Sequence, residues 1–400
     1  MGEQCGFLDV MLSRPIAVVI PCYNRGDSLT RLLHSLSLAN FGKHKGAVPL
    51  VFSIDGGGSD DVIRIAESFD WTHGEKRIIQ HAENIGLRQN IISCGDLSEQ
   101  YGAVVVLEDD LVVSPGFYLY ATKAGQFYYE EDRIGQISLY AYEYTEVGVF
   151  RFMPCEDGND VYFMQWASSW GQLWTSRQWQ SFRSWLEQID SDTLNKISMP
   201  EYVKGWPATS WKKYFIGYLV DTNRYAAYPR VGYATCFGDA GANRPASMLP
   251  IVNSPLAFQA PKSFRFVHFS ESYVCYDSFF EPEKCMIDIL SPELASYDYE
   301  VDLHGVKPLE RLSCEYLLSV RDNSSALSSF SWNVRPMGMQ LIPSAGEGDI
   351  NWGLTDTFDA KVSLRKKIRL AYWSHGCMGA RRGFLYAAIR FLFHILRKQL

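Results

Sequence analysis

The chain has 400 residues, 47% hydrophobic and 14% aromatic, which is enough apolar mass for one large or two medium domains with real cores and excludes a disordered polypeptide. A net charge of −7 argues against a nucleic-acid partner, but the charge is uneven. Residues 361–400 carry ten Lys or Arg and no Asp or Glu, leaving 28 basic against 45 acidic residues, a net of −17, in the remainder.

Residues 1–14 read as a loose leader without the basic-then-apolar pattern of a signal segment. Ile16 to Ile20 is a β-branched run ended by Pro21-Cys22-Tyr23-Asn24-Arg25, with a helix expected from about Ser28 to Leu38. Val48 to Ile54 is a second strand, ended by Asp55 and three glycines, with a helix following through Phe69. Arg77 to Gln80 is a third, and Glu83 to Asn90 opens another helix. Strand and helix alternating at this spacing predict βαβ units and a parallel sheet, whose ligand binds beyond the carboxyl ends of the strands.

The fourth strand carries the most chemistry. Ala103 to Leu107 is an unbroken apolar run of the kind buried on both sheet faces, and Glu108-Asp109-Asp110 stops it. Three adjacent carboxylates at a buried strand end repel one another unless a cation or hydrogen-bond donors sit there. Hard oxygen ligands in that place suit Mg²⁺ or Mn²⁺ shared with a phosphate-bearing ligand; the plain alternative is a solvated acidic turn. There is no G-x-G-x-x-G after the first strand and no G-x-x-x-x-G-K-[ST], which disfavours a dinucleotide-dependent oxidoreductase and a P-loop NTPase. Nine cysteines without a C-x-x-C pair or regular spacing fit a reducing, cytosolic compartment.

In order, the runs Val18–Arg25, Ile54-Asp55-Gly56, Asn84–Leu97, Val106–Phe117, Trp166–Trp174 and Tyr228–Gly232 resemble the GT-A fold glycosyltransferases. The similarity is to bacterial family 2 enzymes and to the N-acetylglucosaminyltransferases that begin complex N-glycan branching, over roughly residues 15–245. The resemblance implies a mostly parallel central sheet flanked by helices. It implies a metal ligand in Asp110, with Glu108 and Asp109 near the ribose and uracil. It implies a uracil contact for Asp55; the alternative for Asp55 is a turn whose Ser59 caps the next helix. Pro21, Tyr23 and Arg25 end the first strand, where Tyr23 can stack on a base and Arg25 can reach a phosphate or simply be solvated. Arg88 stands where the family often has a base- or phosphate-contacting cation, in a turn shaped by Asn84 and Gly86.

Trp166 and Trp170 have the faces that hold sugar rings, either as acceptor or donor-sugar wall or as plain core. Trp174, before an amphipathic Trp179–Trp185 helix, reads as core. Inversion needs a carboxylate to deprotonate the acceptor hydroxyl. Relatives place an Asp after the Trp matched by Trp211, but here the residue is Lys212. Asp239 and Glu201 are the candidates instead; Asp221 lies in a helix-like run.

The domains expected are a catalytic domain over 15–250 (nucleotide half 15–115, acceptor half 116–250), an accessory or lid region over 251–360, and a basic amphipathic tail over 361–400. Within the accessory region, Phe264–Tyr276 and Met337–Ile342 read as short strands, and Asp288–Tyr299 and Asn323–Trp332 as loops or small helices. The tail alternates basic and apolar residues and is too short and charged to span a bilayer, so it is expected either on an anionic membrane or on the acidic body. The expected function is metal-dependent, inverting transfer of a hexosyl or N-acetylhexosaminyl group from a nucleoside diphosphate donor, UDP foremost. The acceptor is a glycan or lipid-linked glycan in surface polysaccharide synthesis, at the inner face of the cell membrane. The rivals are a non-catalytic nucleotide-sugar or carbohydrate-binding protein and a sugar nucleotidyltransferase.

Overall fold

The computed structural model describes residues 14–240, 252–261, 263–341 and 347–375. They fall into two compact units: residues up to Ala141 with Gly158–Ser272, and Tyr142–Asp157 with those from Tyr273 onward. One boundary between the two units thus lies at residue 272, and a short insert from the first part of the chain, residues 142–157, belongs to the second unit.

The first unit is built on a mixed sheet of mostly parallel strands with helices packed against it. Its strands are β1 (Ala17–Cys22), β2 (Leu50–Ile54), β3 (Lys76–Gln80), β4 (Ala103–Val106), β6 (Ile134–Ser138), β7 (Val161–Met164), β8 (Gln172–Thr175) and β9 (Tyr225–Pro229). They lie in the order β7-β9-β6-β8-β4-β1-β2-β3. β3, β2, β1 and β4 run parallel, with Cys22 opposite Ile54 and Val19 opposite Val106. β8 is antiparallel to both β4 and β6. Every residue of β1 and β2 is buried, as their unbroken apolar runs require. A separate pair joins β5 (Leu111–Val113) antiparallel to β10 (Ala234–Cys236).

Helix α1 (Gly26–Ser37) buries Leu29, Leu32, Leu33 and Leu36, the i, i+3, i+4, i+7 stripe of a sheet-facing helix. Helix α2 (Asp60–Ser68) starts at Ser59, whose hydroxyl accepts from the Asp61 amide as an N-cap. Helix α3 (Gly86–Tyr101) ends at Gly102 with a φ of 79°, a conformation glycine adopts without strain. Helix α4 (Phe117–Phe127) precedes β6. Helix α5 (Ser176–Leu186) begins with a capping box between Thr175 and Gln178. Short helices α6 (Ser191–Lys196) and α7 (Glu201–Lys204) lead to α8 (Trp211–Asp221).

The second unit holds helix α9 (Lys284–Leu290) and a four-stranded sheet of β11 (Tyr299–Asp302), β12 (Tyr316–Ser319), β13 (Ser328–Phe330) and β14 (Ile350–Leu354), in the order β11-β12-β14-β13. Trp352 of β14 stacks on Tyr316 with ring centroids 5.3 Å apart. Around them Leu303, Leu318, Val320, Leu341 and Ile350 form a core of their own. The Asn323–Trp332 stretch therefore contains a strand, while Met339–Leu341 is a helical turn. Only Cys275–Tyr276 of the expected 264–276 strand pairs as one. Phe264 and Phe266 stack on each other and pack against Tyr120 and Tyr128 instead, so ring packing and not ladder pairing holds that stretch.

Helix α10 (Leu364–His375) opens the basic tail. It packs on its own body: Leu370 is buried in the second unit's core, Lys366 pairs with Asp322 at 3.0 Å, and Arg369 pairs with Asp349. The rest of the tail, 376–400, lies outside the described residues. Among the described residues no helix is long and apolar enough to cross a membrane.

Candidate functional site

From β1 the chain moves outward through β2 to β3, then returns to the other side of β1 for β4. Loops leaving the carboxyl ends of β1 and β4 therefore diverge and open a crevice between them, the switch point at which open α/β sheets bind ligands. Two motifs end there. Arg25 follows β1 at the head of α1, and Asp109 and Asp110 form the turn between β4 and β5.

These residues meet. Arg25 Nη1 donates to Asp110 Oδ2 at 2.7 Å, and Nη2 donates to Asp109 Oδ1. The guanidinium is 22% exposed, whereas the two carboxylates are 4% and 6% exposed. Burial works against the charge on Arg25, but Asp109, Asp110 and Glu108 outweigh it and raise its pKa. Burial pushes Asp109 up to about 6, Asp110 adds to that, and Arg25 opposes it. The buried Cys22 thiol is likewise driven well up, by burial first and Asp109 second, so it stays protonated.

Arg25 thus pairs with two buried carboxylates at once. Asp110 Oδ1 is buried without a hydrogen-bond partner among the described residues, an acceptor left bare where desolvation is costly. Half-buried Glu108 adds a third negative charge. No group of three or more His, Cys, Asp or Glu forms a protein-only cage for a metal among the described residues. The donor set instead fits a hard divalent cation held by one carboxylate and completed by phosphate oxygens and water, the habit of Mg²⁺ in nucleotide sites.

Asp55 ends β2 beside this crevice, its amide bonded to Cys22 O at 2.9 Å. Its carboxylate accepts from the amides of Gly56 (2.9 Å), Ile85 (2.7 Å) and Gly86 (3.0 Å), tying the β2 loop to the head of α3. The glycines after it serve close backbone approach: a Cβ on Gly56 would lie 2.3 Å from the Glu83 carbonyl carbon, and one on Gly58 2.1 Å from Tyr23 O. Asp55→Ala strands three amide donors, two of them part-buried, and is expected to lower stability by about 2 kcal/mol in urea unfolding. An unchanged midpoint would mean that water satisfies those amides equally well.

Pro21 is paired within β1 opposite Ser53, and Tyr23 is half-buried with its carbonyl accepting from Ser59. Asn84 is exposed. Arg88 donates to Ala208 O at 3.0 Å and lies 4.0 Å over the Tyr214 ring, so its charge is directed at the 208–214 segment.

Asp239 is drawn to the acidic turn. β10 pairs with β5, and the Phe237 amide donates to Asp110 O at 3.0 Å, laying the chain after β10 along that turn. Asp239 Oδ2 accepts from Ser28 Oγ at 2.6 Å and pairs with Arg31, whose guanidinium stacks 3.6 Å over Phe237. Both partners lie in the first two turns of α1, just after Arg25. Glu201, by contrast, is exposed on α7 and pairs with Lys204 at 3.5 Å.

Trp166 is wholly buried and Trp170 is 5% exposed, so both rings sit inside the unit. Between them lies a feature that sequence reasoning missed. Lys212 is itself buried, and its Nζ stands 5.1, 5.5 and 5.7 Å from the ring centres of Trp166, Trp170 and Trp206. Three indole faces suit an ammonium where water is excluded. Trp174 is core, packed 4.6 Å from Trp179.

No protein-family model and no curated protein matches the sequence. Among solved structures the chain is similar to S. aureus TarS residues 1–349, at 16% identity and a TM-score of 0.34, covering 55% of this chain and 59% of that one. The same protein in complex with UDP-GlcNAc matches at 15% and 0.36, covering 59% and 62%. The mannosyltransferase PcManGT from Pyrobaculum calidifontis, in complex with GDP-Man and Mn²⁺, matches at 12% and 0.28, covering 44% and 52%. The chain spans less than two thirds of each of these proteins, and superpositions this loose leave its function to its own residues.

Proposed function

We propose that the chain is a GT-A glycosyltransferase that transfers a hexosyl or N-acetylhexosaminyl group, with inversion, from a nucleoside diphosphate donor to a glycan or lipid-linked glycan. The observation that carries this reading is the bare, buried Asp110 oxygen beside Arg25 at the β1–β4 switch point. An acidic turn serving only as a surface loop would not bury two carboxylates there.

In this reading Asp110 holds Mn²⁺ or Mg²⁺, which when bound neutralises the charge growing on the departing diphosphate. Arg25 anchors Asp109 and Asp110 and sets the rotamer that keeps Oδ1 bare. Asp55, Glu108 and Asp109 border the ribose and base, with Tyr23 and Asn84 at the rim and Arg88 on the far side of the α3 turn. Asp239 takes the proton from the acceptor hydroxyl as that oxygen attacks the anomeric carbon, and the sugar–phosphate bond breaks with its electron pair on UDP. Its position along the acidic turn favours it over Glu201. Titration calorimetry with UDP tests the reading directly: binding is expected to need Mn²⁺ or Mg²⁺, and absence of UDP binding with either ion would end it.

Residues 376–400 retain Arg381, Arg382, Arg390, Arg397 and Lys398 among apolar residues, without an acid. We propose that this segment holds the enzyme at an anionic membrane face, close to a lipid-linked acceptor. Flotation with phosphatidylglycerol vesicles is expected to carry the full chain but not one ending at residue 375; equal flotation of both would remove the role.

A further inference from the structure

Two of the nine cysteines face each other in the second unit. Cys275 Sγ and Cys285 Sγ are 3.2 Å apart, and both lie within reach of Tyr273 O, at 3.5 and 4.0 Å. Four other described thiols point to oxygen atoms: Cys22 to Ile20 O, Cys94 to Asn90, Cys155 to Met337 O and Cys314 to Thr355. Cys275 is 3% exposed, whereas Cys285 is open to solvent on α9.

The backbone between them fixes the pair. Glu283 N donates to Cys275 O at 3.0 Å, and Tyr276 bridges Pro282 in antiparallel fashion. Asp277 closes the turn, its carboxylate accepting from the Phe279 and Glu281 amides at 2.8 and 2.9 Å. The two sulfurs are thus brought together by a hydrogen-bonded turn. A disulfide bond of about 2.05 Å needs an approach of roughly one ångström, within the reach of side-chain rotation.

Accessibility and acidity mark Cys285 as the attacking partner. Hydrogen bonding from Cys275 stabilises its thiolate and lowers its pKa, against the opposing effect of burial.

We propose that Cys275 and Cys285 are a reversible redox pair that closes to an intramolecular disulfide under peroxide. The Cys285 thiolate attacks one peroxide oxygen, the O–O bond breaks, and hydroxide leaves with a proton as water, giving a sulfenic acid on Cys285. Cys275 sulfur then attacks that sulfur, the S–O bond breaks, and the hydroxyl leaves with the Cys275 proton as a second water. Two thiols are oxidised by two electrons and one peroxide is reduced to two waters.

The closed loop carries Glu281, whose buried carboxylate accepts from the amides of Leu303 (3.0 Å) and His304 (2.8 Å). It also carries Asp277, paired with buried Lys307 at 2.6 Å. The disulfide braces the turn on which this buried charged group depends, so oxidation acts on the order of the second unit.

The test is to treat the reduced full-length protein with a small excess of hydrogen peroxide, alkylate it and map its peptides. The expected result is a Cys275–Cys285 link, lighter by two hydrogens, with two of the nine thiols lost and both returned by dithiothreitol. In C285S the link and the loss vanish. In C275S, Cys285 is trapped by dimedone as a sulfenic acid, which it escapes in the wild type. Hydrogen exchange at Leu303 and His304 slows severalfold on oxidation. If both cysteines of the native protein stay alkylatable after peroxide, or if the wild type yields dimedone adduct in place of the link, the proposal is overturned. Since Cys285 is exposed, C285S serves even if C275S does not fold.

Discussion

Asp110→Ala is expected, on the proposed function, to cut nucleoside diphosphate release from a UDP-sugar by about 10²–10³-fold, the usual effect of removing one preorganised charge-stabilising contact. Stability should hold. Arg25 keeps Asp109 as a partner, and a buried carboxylate with a bare oxygen is removed together with its repulsion of Asp109. The melting temperature is therefore expected to stay level or rise while turnover collapses, a combination that separates a functional acid from a structural one. Coupled detection of UDP over a range of Mn²⁺ concentrations gives the first quantity and calorimetry the second. Turnover within a few fold of wild type would remove the metal role from Asp110. A large drop in melting temperature would recast the residue as part of the scaffold.

Arg25→Ala sharpens the contrast. It leaves Asp109 and Asp110 buried and unneutralised, so it should harm stability where Asp110→Ala does not. The pair also shows where sequence reading reaches its limit. β1, β2 and β4 were legible because continuous β-branched runs ended by Pro, Gly or acids admit few other structures. The acidic turn was legible because three carboxylates at a strand end demand an explanation. Its ion pair was not: Arg25 and Asp110 are 85 positions apart, and either could have faced water. Asp239 was a candidate by residue type alone, since Ser28 and Arg31 reach it across 211 and 208 positions. Lys212 read only as a missing acid; the indole cage around it is assembled from a strand-end loop, the 206 turn and the start of α8. In the second unit the strands have three to five residues, too few for alternation to register, and their pairing is set by Tyr316, Trp352 and their neighbours in space. Cys275 and Cys285 are ten residues apart, a spacing with no motif value, so their approach could not be read from the sequence.

The second unit rests on a buried ion pair, and Arg321→Met is expected to destabilise it by about 3–5 kcal/mol. Asp302 is wholly buried, and Arg321 Nε donates to its Oδ2 at 2.9 Å. The other guanidinium nitrogens donate to carbonyls: Nη2 to Lys307 (2.7 Å) and Gly305 (3.3 Å), and Nη1 to Ala360. Methionine fills part of the volume but leaves a carboxylate whose pKa burial has already raised, with Glu281 adding to it, and three carbonyls unanswered. Adding Asp302→Leu removes the stranded charge and should recover part of the loss. Recovery stays incomplete, because Asp302 Oδ1 also accepts from the Val306 and Lys307 amides at 2.7 and 2.9 Å, and each unsatisfied donor costs about 1–3 kcal/mol. Urea unfolding of the two single variants and the double gives the coupling energy directly. A single-variant loss below about 1 kcal/mol would mean that water reaches Asp302 and that the pair is only a surface contact, whereas a double variant worse than either single would place the energy in the backbone donors and not in the charges.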